Sequence, residues 1–137
     1  MHRTAHQRHG MARALQRALD GEQIQVALQP QIRFSDQSHC GVEALVHWKQ
    51  NGKWGSPPDL ISLAEESGLI LPLGEAILTT TMKTVAGLKE RGLELGQISI
   101  NVATAQLRDP QFASSFLDCI SRHRHHEREL AMEVTET

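Results

Sequence analysis

The sequence predicts an α/β fold built from layers of strands and helices. Four segments show the alternating apolar pattern of β-strands, and helical segments of about 10–20 residues separate most of them, which is typical of crossover connections. The composition favours one globular domain, because 39% of the 137 residues are hydrophobic and 22% are charged. A disordered chain would carry fewer apolar residues.

The first half of the chain predicts a helix, two strands and a second helix. A short amphipathic helix is predicted over residues 11–19, after a flexible tail or linker at residues 1–10. Apolar residues alternate with others through Ile24–Ile32 and again through residues 40–48, so both segments are predicted strands. A loop follows, and the SPPD sequence that begins at Ser56 predicts the start of the second helix.

The second half of the chain alternates helices and strands. A long helix is predicted over residues 73–91, a strand over residues 97–102, a helix that starts at residue 109 and ends within residues 122–126, and a strand over residues 129–134. The inward face of the long helix is predicted to carry four residues at helical spacing: Ile77, Thr81, Thr84 and Leu88.

Charge, hydropathy and cysteine usage exclude several classes of protein. The 14 basic and 16 acidic residues leave a formal charge of −2, whereas nucleic-acid-binding proteins usually carry a basic excess. No apolar run approaches the roughly 20 residues of a membrane helix, so no membrane segment is predicted. Cys40 and Cys119 belong to no CxxC pattern, so neither a disulfide framework nor a zinc ribbon is predicted, and a cytoplasmic location is expected.

Two groups of histidines have spacings that raise the question of metal binding. They are His2, His6 and His9 near the N-terminus, and His123, His125 and His126 at the end of the last predicted helix. A solvated leader explains the first group. The second group lies where cations favour a helix C-terminus, and no Cys or carboxylate nearby completes a tetrahedral zinc set.

Each of the four predicted strands carries an oxygen-bearing polar residue on the face opposite its apolar residues. These residues are Gln29, Glu43, Asn101 and Glu133. Such oxygens are the ligands that a hard divalent cation such as Mg²⁺ prefers, and in a β/α barrel the carboxyl ends of the strands converge at one mouth. A buried polar network would use the same residues. A metal site and a structural network therefore remain alternatives.

Short motifs extend along nearly the whole chain after residue 11. They are Gln29-Pro30, Glu43-Ala44-Leu45 followed by Trp48, Ser56-Pro57, Leu60-Ile61, AEESGLI at residues 64–70, Leu73-Gly74, SINVATAQLRDPQF at residues 99–112, and EVTET at residues 133–137. In this order and spacing the sequence resembles the EAL domain family, the cyclic di-GMP phosphodiesterases of bacterial signalling.

The resemblance implies a fold and a reaction. Residues 11–137 would be the N-terminal half of a modified (β/α)₈ TIM-type barrel, incomplete as given. A complete domain of this family would bind one or two Mg²⁺ or Mn²⁺ ions and use metal-activated water to open cyclic di-GMP to linear pGpG.

The resemblance also implies roles for individual residues. Glu43, Asn101 and Glu133 match metal ligands of the family. Gln29 and Leu45 match positions that contact the substrate. Glu136 matches a residue that steadies a loop over the site, so Glu43, Glu133 and Glu136 are the expected catalytic residues.

His47 departs from the family pattern, which usually has Arg two residues after the signature Leu45. The Arg would offer a forked and permanently charged contact to a phosphate, whereas His is mostly neutral at pH 7. Weaker substrate binding at His47 is one interpretation. Simple packing at the barrel mouth is the other.

Length is the larger departure. A complete barrel needs about 250 residues, and the chain stops after the fourth strand motif, before the family's paired Asp motif and catalytic Lys. Mg²⁺ demands near-octahedral coordination, so the metal site is expected to be incomplete and the isolated chain inactive.

Alternative functions and partners follow from the same departures. The domain is either a phosphodiesterase or a catalytically silent cyclic di-GMP receptor or protein-interaction module. Uncovered sheet edges favour a homodimer or a half-barrel association. GGDEF, PAS or receiver domains are expected neighbours in a longer protein, which could itself be tethered to a membrane.

Overall fold

The computed structural model describes residues 5–50, 53–55, 60–122 and 130–135. Five helices and five strands lie within these residues. In chain order they are α1 Ala5–Asp20, β1 Ile24–Ile32, β2 His39–Gln50, β3 Lys53–Gly55, α2 Leu60–Glu66, α3 Ile70–Glu90, β4 Gln97–Ala103, α4 Thr104–Leu107, α5 Phe112–Arg122 and β5 Leu130–Thr135.

The strands form one mixed sheet in the order β1-β2-β4-β5. β2 and β4 are parallel, and so are β4 and β5, because helical crossovers connect them. β1 is antiparallel to β2, and the short β3 pairs with the end of β2. The carboxyl ends of three parallel strands therefore lie at one edge of the sheet, which confirms the predicted α/β fold.

Helices α3 and α5 cover one face of this sheet. The alternating apolar residues of β2 and β4 point toward them, and Ile98 is completely buried there. Each large aliphatic side chain that leaves water in this way contributes roughly 1.5–3 kcal/mol to folding. The buried residues of this cluster are Val42, Ala44, Leu78, Met82, Val85, Leu95, Ile98, Ile100 and Cys119.

A second apolar cluster joins α1 and α2 to the first turns of α3. Leu15 and Ala18 of α1 pack there with Trp48 at the end of β2. Ile24, the first residue of β1, is the register partner of Trp48 and is also buried. This cluster therefore holds the end of β2 and the start of β1 against the helices.

Two glycines allow β2 and β4 to begin close together. A Cβ on Gly41 would lie 2.5 Å from the carbonyl oxygen of Gln97, and a Cβ on Gly96 would lie 2.6 Å from that of Cys40. Gly96 also has φ +72°, which strongly favours glycine. This contact sets the register that carries Glu43 next to Ser99.

Several element boundaries differ from the sequence prediction. α1 begins at Ala5, so the predicted start at residue 11 is wrong and Ala5–Asp20 is continuously helical. The described residues 5, 7, 9 and 10 are exposed, so they form no apolar stripe that the sequence could reveal. β3 and α4 were not predicted, because elements of three and four residues are too short to show a period. The predicted helix start at Ser56 lies outside the described residues.

The predicted inward face of α3 is confirmed in part: Thr81 is buried, and Ile77 and Leu88 are partly buried and pack against the two apolar clusters. Of the four predicted residues only Thr81 is fully buried. Two apolar stripes run side by side along this helix. The sheet mostly buries the stripe whose residues lie one position after the predicted ones in the sequence. The buried residues are Leu73, Leu78, Thr81, Met82 and Val85. The Thr81 hydroxyl donates to the carbonyl of Ile77 at 2.7 Å, so its burial leaves no donor unpaired.

None of the described helices combines the length and apolar character needed to cross a membrane.

Candidate functional site

The face of the sheet opposite the helices carries the predicted site residues. Successive side chains of a strand point to opposite faces, so burial of Val42 and Ala44 under the helices turns Glu43 and Leu45 to the other side. The same alternation in β4 places Asn101 on that side. Gln29, His47 and Glu133 follow by strand pairing and alternation.

The strand register arranges four of these residues in two cross-strand pairs. Gln29 of β1 is the register partner of Glu43 in β2, and Asn101 of β4 is the register partner of Glu133 in β5. Ser99 pairs with Glu43 and is buried, so Asn101 lies two residues further toward the carboxyl end of β4. Sequence patterns indicate the faces of the strands, whereas the register that aligns these residues comes from the structure.

The carboxylates of Glu43 and Glu133 interact across β4. Burial raises the pKa of Glu43, and the charge of Glu133 and a side-chain hydrogen bond with Glu133 raise that pKa further. Two carboxylates close enough to share a hydrogen bond resist being ionised together. They can share a proton, or a cation between them can remove the repulsion.

The donor set fits a hard divalent cation. Glu43 and Glu133 supply carboxylate oxygens, and Asn101, beside Glu133, supplies an amide oxygen. Within residues 5–50, 53–55, 60–122 and 130–135 no cluster of three His, Cys, Asp or Glu side chains could hold a metal.

The residues predicted to contact substrate lie on the same face around Glu43. Gln29 is exposed, while Leu45 and His47 are partly buried. His47 pairs with Gln25 of β1, near the carboxyl end of β2. His47 lies four residues after Glu43 in β2, or roughly 13 Å away at the usual rise. A ligand that touched both would extend along β2.

Some predicted residues lie outside the described residues. Glu136 follows directly after β5, whose last residue is Thr135. The histidine group at residues 123–126 also falls outside, so the structure does not test either prediction.

Sequence reasoning assigned no role to Gln106, a polar residue that is only 5% exposed. It lies in α4, directly after β4. A polar residue buried beside the end of a site-bearing strand carries no periodic signal, because α4 is a single turn.

The family model for the EAL domain matches residues 12–137. Cyclic di-GMP phosphodiesterase PdeR of Escherichia coli K12 is 36% identical over 96 residues, which cover 69% of this chain and 14% of PdeR. Probable cyclic di-GMP phosphodiesterase PdeG of the same strain is 31% identical over 123 residues, which cover 89% of this chain and 24% of PdeG.

Solved structures show the same fold. The PaMucR phosphodiesterase in its c-di-GMP complex superposes with a TM-score of 0.80 at 27% identity, covering 91% of this chain and 51% of PaMucR. The FimX EAL domain from Pseudomonas aeruginosa bound to c-di-GMP superposes with a TM-score of 0.75 at 21% identity, covering 90% of this chain and 49% of FimX. This chain therefore spans about half the length of these structures and a smaller share of the curated relatives.

Proposed function

Because this chain belongs to the EAL domain family, we propose that it forms the N-terminal half of a metal-dependent cyclic di-GMP phosphodiesterase domain. The observation that carries the proposal is the carboxylate pair of Glu43 and Glu133, with Asn101 beside it. The relatives PdeR and PdeG are named as phosphodiesterases of this nucleotide, and PaMucR holds it.

Glu43, Asn101 and Glu133 are the proposed ligands of Mg²⁺ or Mn²⁺. When bound, such an ion lowers the pKa of water and stabilises negative charge on phosphoryl oxygens. The two carboxylates hold the cation by charge and the amide oxygen of Asn101 fixes its position along β4. Three protein ligands leave an octahedral ion short of partners, which is why we propose that this chain alone does not turn over substrate.

The remaining site residues bind and orient the dinucleotide. Gln29 and Leu45 flank Glu43 and contact the substrate, while His47 lies further along β2 where a second part of the ligand would reach. Glu136 steadies a loop over the site. Hydrolysis forms a bond between phosphorus and the oxygen of water and breaks the bond from phosphorus to O3′. One proton of the water ends on O3′ and the other stays with the new 5′-phosphate of linear pGpG.

A catalytically silent receptor or protein-interaction module is the second candidate. His47 favours it, because the position usually holds an Arg in the family, and an imidazole offers a phosphate fewer donors than the forked guanidinium does. A receptor of this kind would bind cyclic di-GMP through the same face of the sheet and release it unchanged.

The proposed context is a cytoplasmic signalling protein, with residues 1–10 as a linker to a preceding domain. GGDEF, PAS or receiver domains are the proposed neighbours. The LapD structure, which includes an S helix, a GGDEF and an EAL domain and is bound to c-di-GMP, has a TM-score of 0.76 with this chain at 12% identity, so that likeness shows the fold alone. Half-barrel association or a homodimer is proposed along β5, which is the last strand of the sheet among the described residues.

Hydrolysis of cyclic di-GMP tests the proposal in two proteins. The first is this chain, and the second is a hybrid barrel in which this chain is joined to the remaining half of PaMucR. With Mg²⁺ or Mn²⁺ we expect pGpG from the hybrid and none from the chain alone.

Matched variants of the hybrid separate the candidate functions. Glu43→Gln should reduce turnover by more than the about 10–100-fold that accompanies loss of an outer-shell partner, whereas Glu90→Gln, at the far end of α3, should leave it unchanged. Retained activity in Glu43→Gln would refute the metal role. A hybrid that binds cyclic di-GMP without turnover, while its PaMucR half is active in the native protein, would favour the receptor.

A further inference from the structure

Gln106 ties the short helix α4 back to the end of β4. Its Oε1 accepts a hydrogen bond from the backbone N–H of Ala103 at 2.9 Å. Ala103 is the last residue of β4 and is itself buried. Because a buried backbone donor needs a partner, the Gln106 side chain allows the chain to leave the strand at this point without losing a hydrogen bond.

The other side of the Gln106 amide lies against Gly74 of α3. A Cβ on Gly74 would lie 2.6 Å from Gln106 Nε2, which is closer than real Cβ contacts come. Gly74 is therefore matched to Gln106, because any larger residue in α3 would push the amide from its place. This explains why glycine is used in a helix, where it is otherwise unfavourable.

Gly87 of the same helix provides a contrast. It is exposed, and a Cβ built on it would meet nothing within 4 Å. The missing side chain at Gly74 therefore makes room for the Gln106 amide, whereas the missing side chain at Gly87 makes room for no neighbour.

Gly74 and Gln106 share the lining of a small cavity with Asn101. Asn101 precedes Ala103 by two residues in β4. The cavity has a volume of about 20 Å³, room for no more than a single water molecule. Movement of the Gln106 amide would thus reach the backbone that carries the proposed metal ligand.

We propose that the Gly74–Gln106 pair positions Asn101 for cation binding. Gln106 is a positioning residue, since it acts on Asn101 through the Ala103 N–H and touches no reacting atom. The inference rests on the proposed function for the role of Asn101 as a ligand. Without the hydrogen bond, the end of β4 frays and the Asn101 amide oxygen loses its fixed place beside Glu133.

Four single variants and one double variant of the 137-residue chain test this inference by NMR. The readouts are amide exchange at Ala103, the χ1 populations of Asn101 from scalar couplings, and paramagnetic broadening by Mn²⁺. Gln106→Ala should speed exchange at Ala103, mix the rotamers of Asn101 and weaken Mn²⁺ binding by about tenfold, as loss of an outer-shell partner does. Gln106→Glu keeps the acceptor and should restore all three.

The glycines complete the experiment. Gly74→Ala should reproduce the defect of Gln106→Ala, and should add nothing when combined with it, because the contact that it disturbs is already gone. Gly87→Ala is the matched control and should leave all three readouts unchanged.

Two results would overturn the inference. In the first, Gln106→Ala speeds amide exchange at Ala103, but the rotamer of Asn101 and the affinity for Mn²⁺ stay as in the wild type. Gln106 would then stabilise the fold without positioning Asn101. In the second, amide exchange at Ala103 is unchanged in Gln106→Ala. Absence of Mn²⁺ broadening at Glu43 and Glu133 in the wild type would instead refute the proposed metal site, and the Asn101 rotamers would still decide whether the pair positions this residue.

Discussion

Neighbouring strands β4 and β5 carry the same apolar pattern but differ sharply in burial. Ile100 and Val102 of β4 are 4% and 2% exposed. Their register partners in β5, Met132 and Val134, are 48% and 59% exposed. Alternation thus shows which face a strand can bury, while burial itself depends on whether another element covers that face.

Helix α5 lies at the border between the covered and the uncovered region. Its Cys119 and Ile120 are buried, whereas Leu117 is 53% exposed. A hollow of about 350 Å³ opens between α5 and β5. We call the residues that line it the open face: Leu107, Phe112, Ala113, Phe116, Leu117, Ile120, Leu130 and Met132. In a complete barrel we expect the next strand and helix to cover this face.

The largest expected effect contrasts the register partners Ile100 and Met132. Ile100→Ala should lower the free energy of unfolding by about 2–5 kcal/mol, because it leaves a cavity under α3. Met132→Ala should lower it by less than about 1 kcal/mol, because the side chain is half exposed. Urea denaturation of this chain measures both. Equal losses would contradict the comparison and mean that the open face is covered in solution.

Self-association of this chain would show whether a second copy covers the open face in solution. If two copies of this chain cover each other there, its mass by analytical ultracentrifugation should rise with concentration. Met132→Asp should then weaken association about tenfold or more, since a buried unpaired charge is costly.

Leu93→Asp is the control for this experiment, because Leu93 is 51% exposed between α3 and β4, away from the open face. A strictly monomeric wild type would rule out association of half-barrels.

The smallest expected effect is the pH dependence of folding stability that comes from Glu43. Burial and Glu133 raise the pKa of Glu43. A carboxyl with a raised pKa stabilises the fold fully below its unfolded pKa, and this contribution is lost as pH rises through the folded pKa. Glu43→Gln should therefore be more stable than the wild type at pH 7, by up to about 1 kcal/mol. Below the ordinary Glu pKa of about 4.3 the difference should vanish.

Urea denaturation at pH 7 and again below about pH 4.3, in the presence of a chelator, measures the difference in stability between Glu43→Gln and the wild type. Glu90→Gln is the exposed control and should show no such dependence. A gap between Glu43→Gln and the wild type that stays constant with pH would show that the two carboxylates do not interact.

The strands and their polar face could be predicted from the sequence better than the helices. Strand alternation is strict, so the pattern of apolar residues alone assigns Glu43 and Asn101 to a face. α3 carries two apolar stripes, and only the packing of the sheet decides between Ile77 and Leu78. The register that joins Asn101 to Glu133, and the contact of Gln106 with Gly74, depend on residues far apart in the chain, so no local pattern encodes them.

Burial of Cys119 makes it a natural reporter of how firmly α5 adheres to the sheet. Its thiol is fully buried and lies 3.4 Å from the Thr79 hydroxyl, so an alkylating reagent reaches it only when α5 lifts away. Cys40, partly buried at the start of β2, supplies an internal reference for reagent reactivity. The ratio of the two labelling rates would follow the opening of α5, and any molecule that seals the neighbouring hollow should slow the labelling of Cys119 alone.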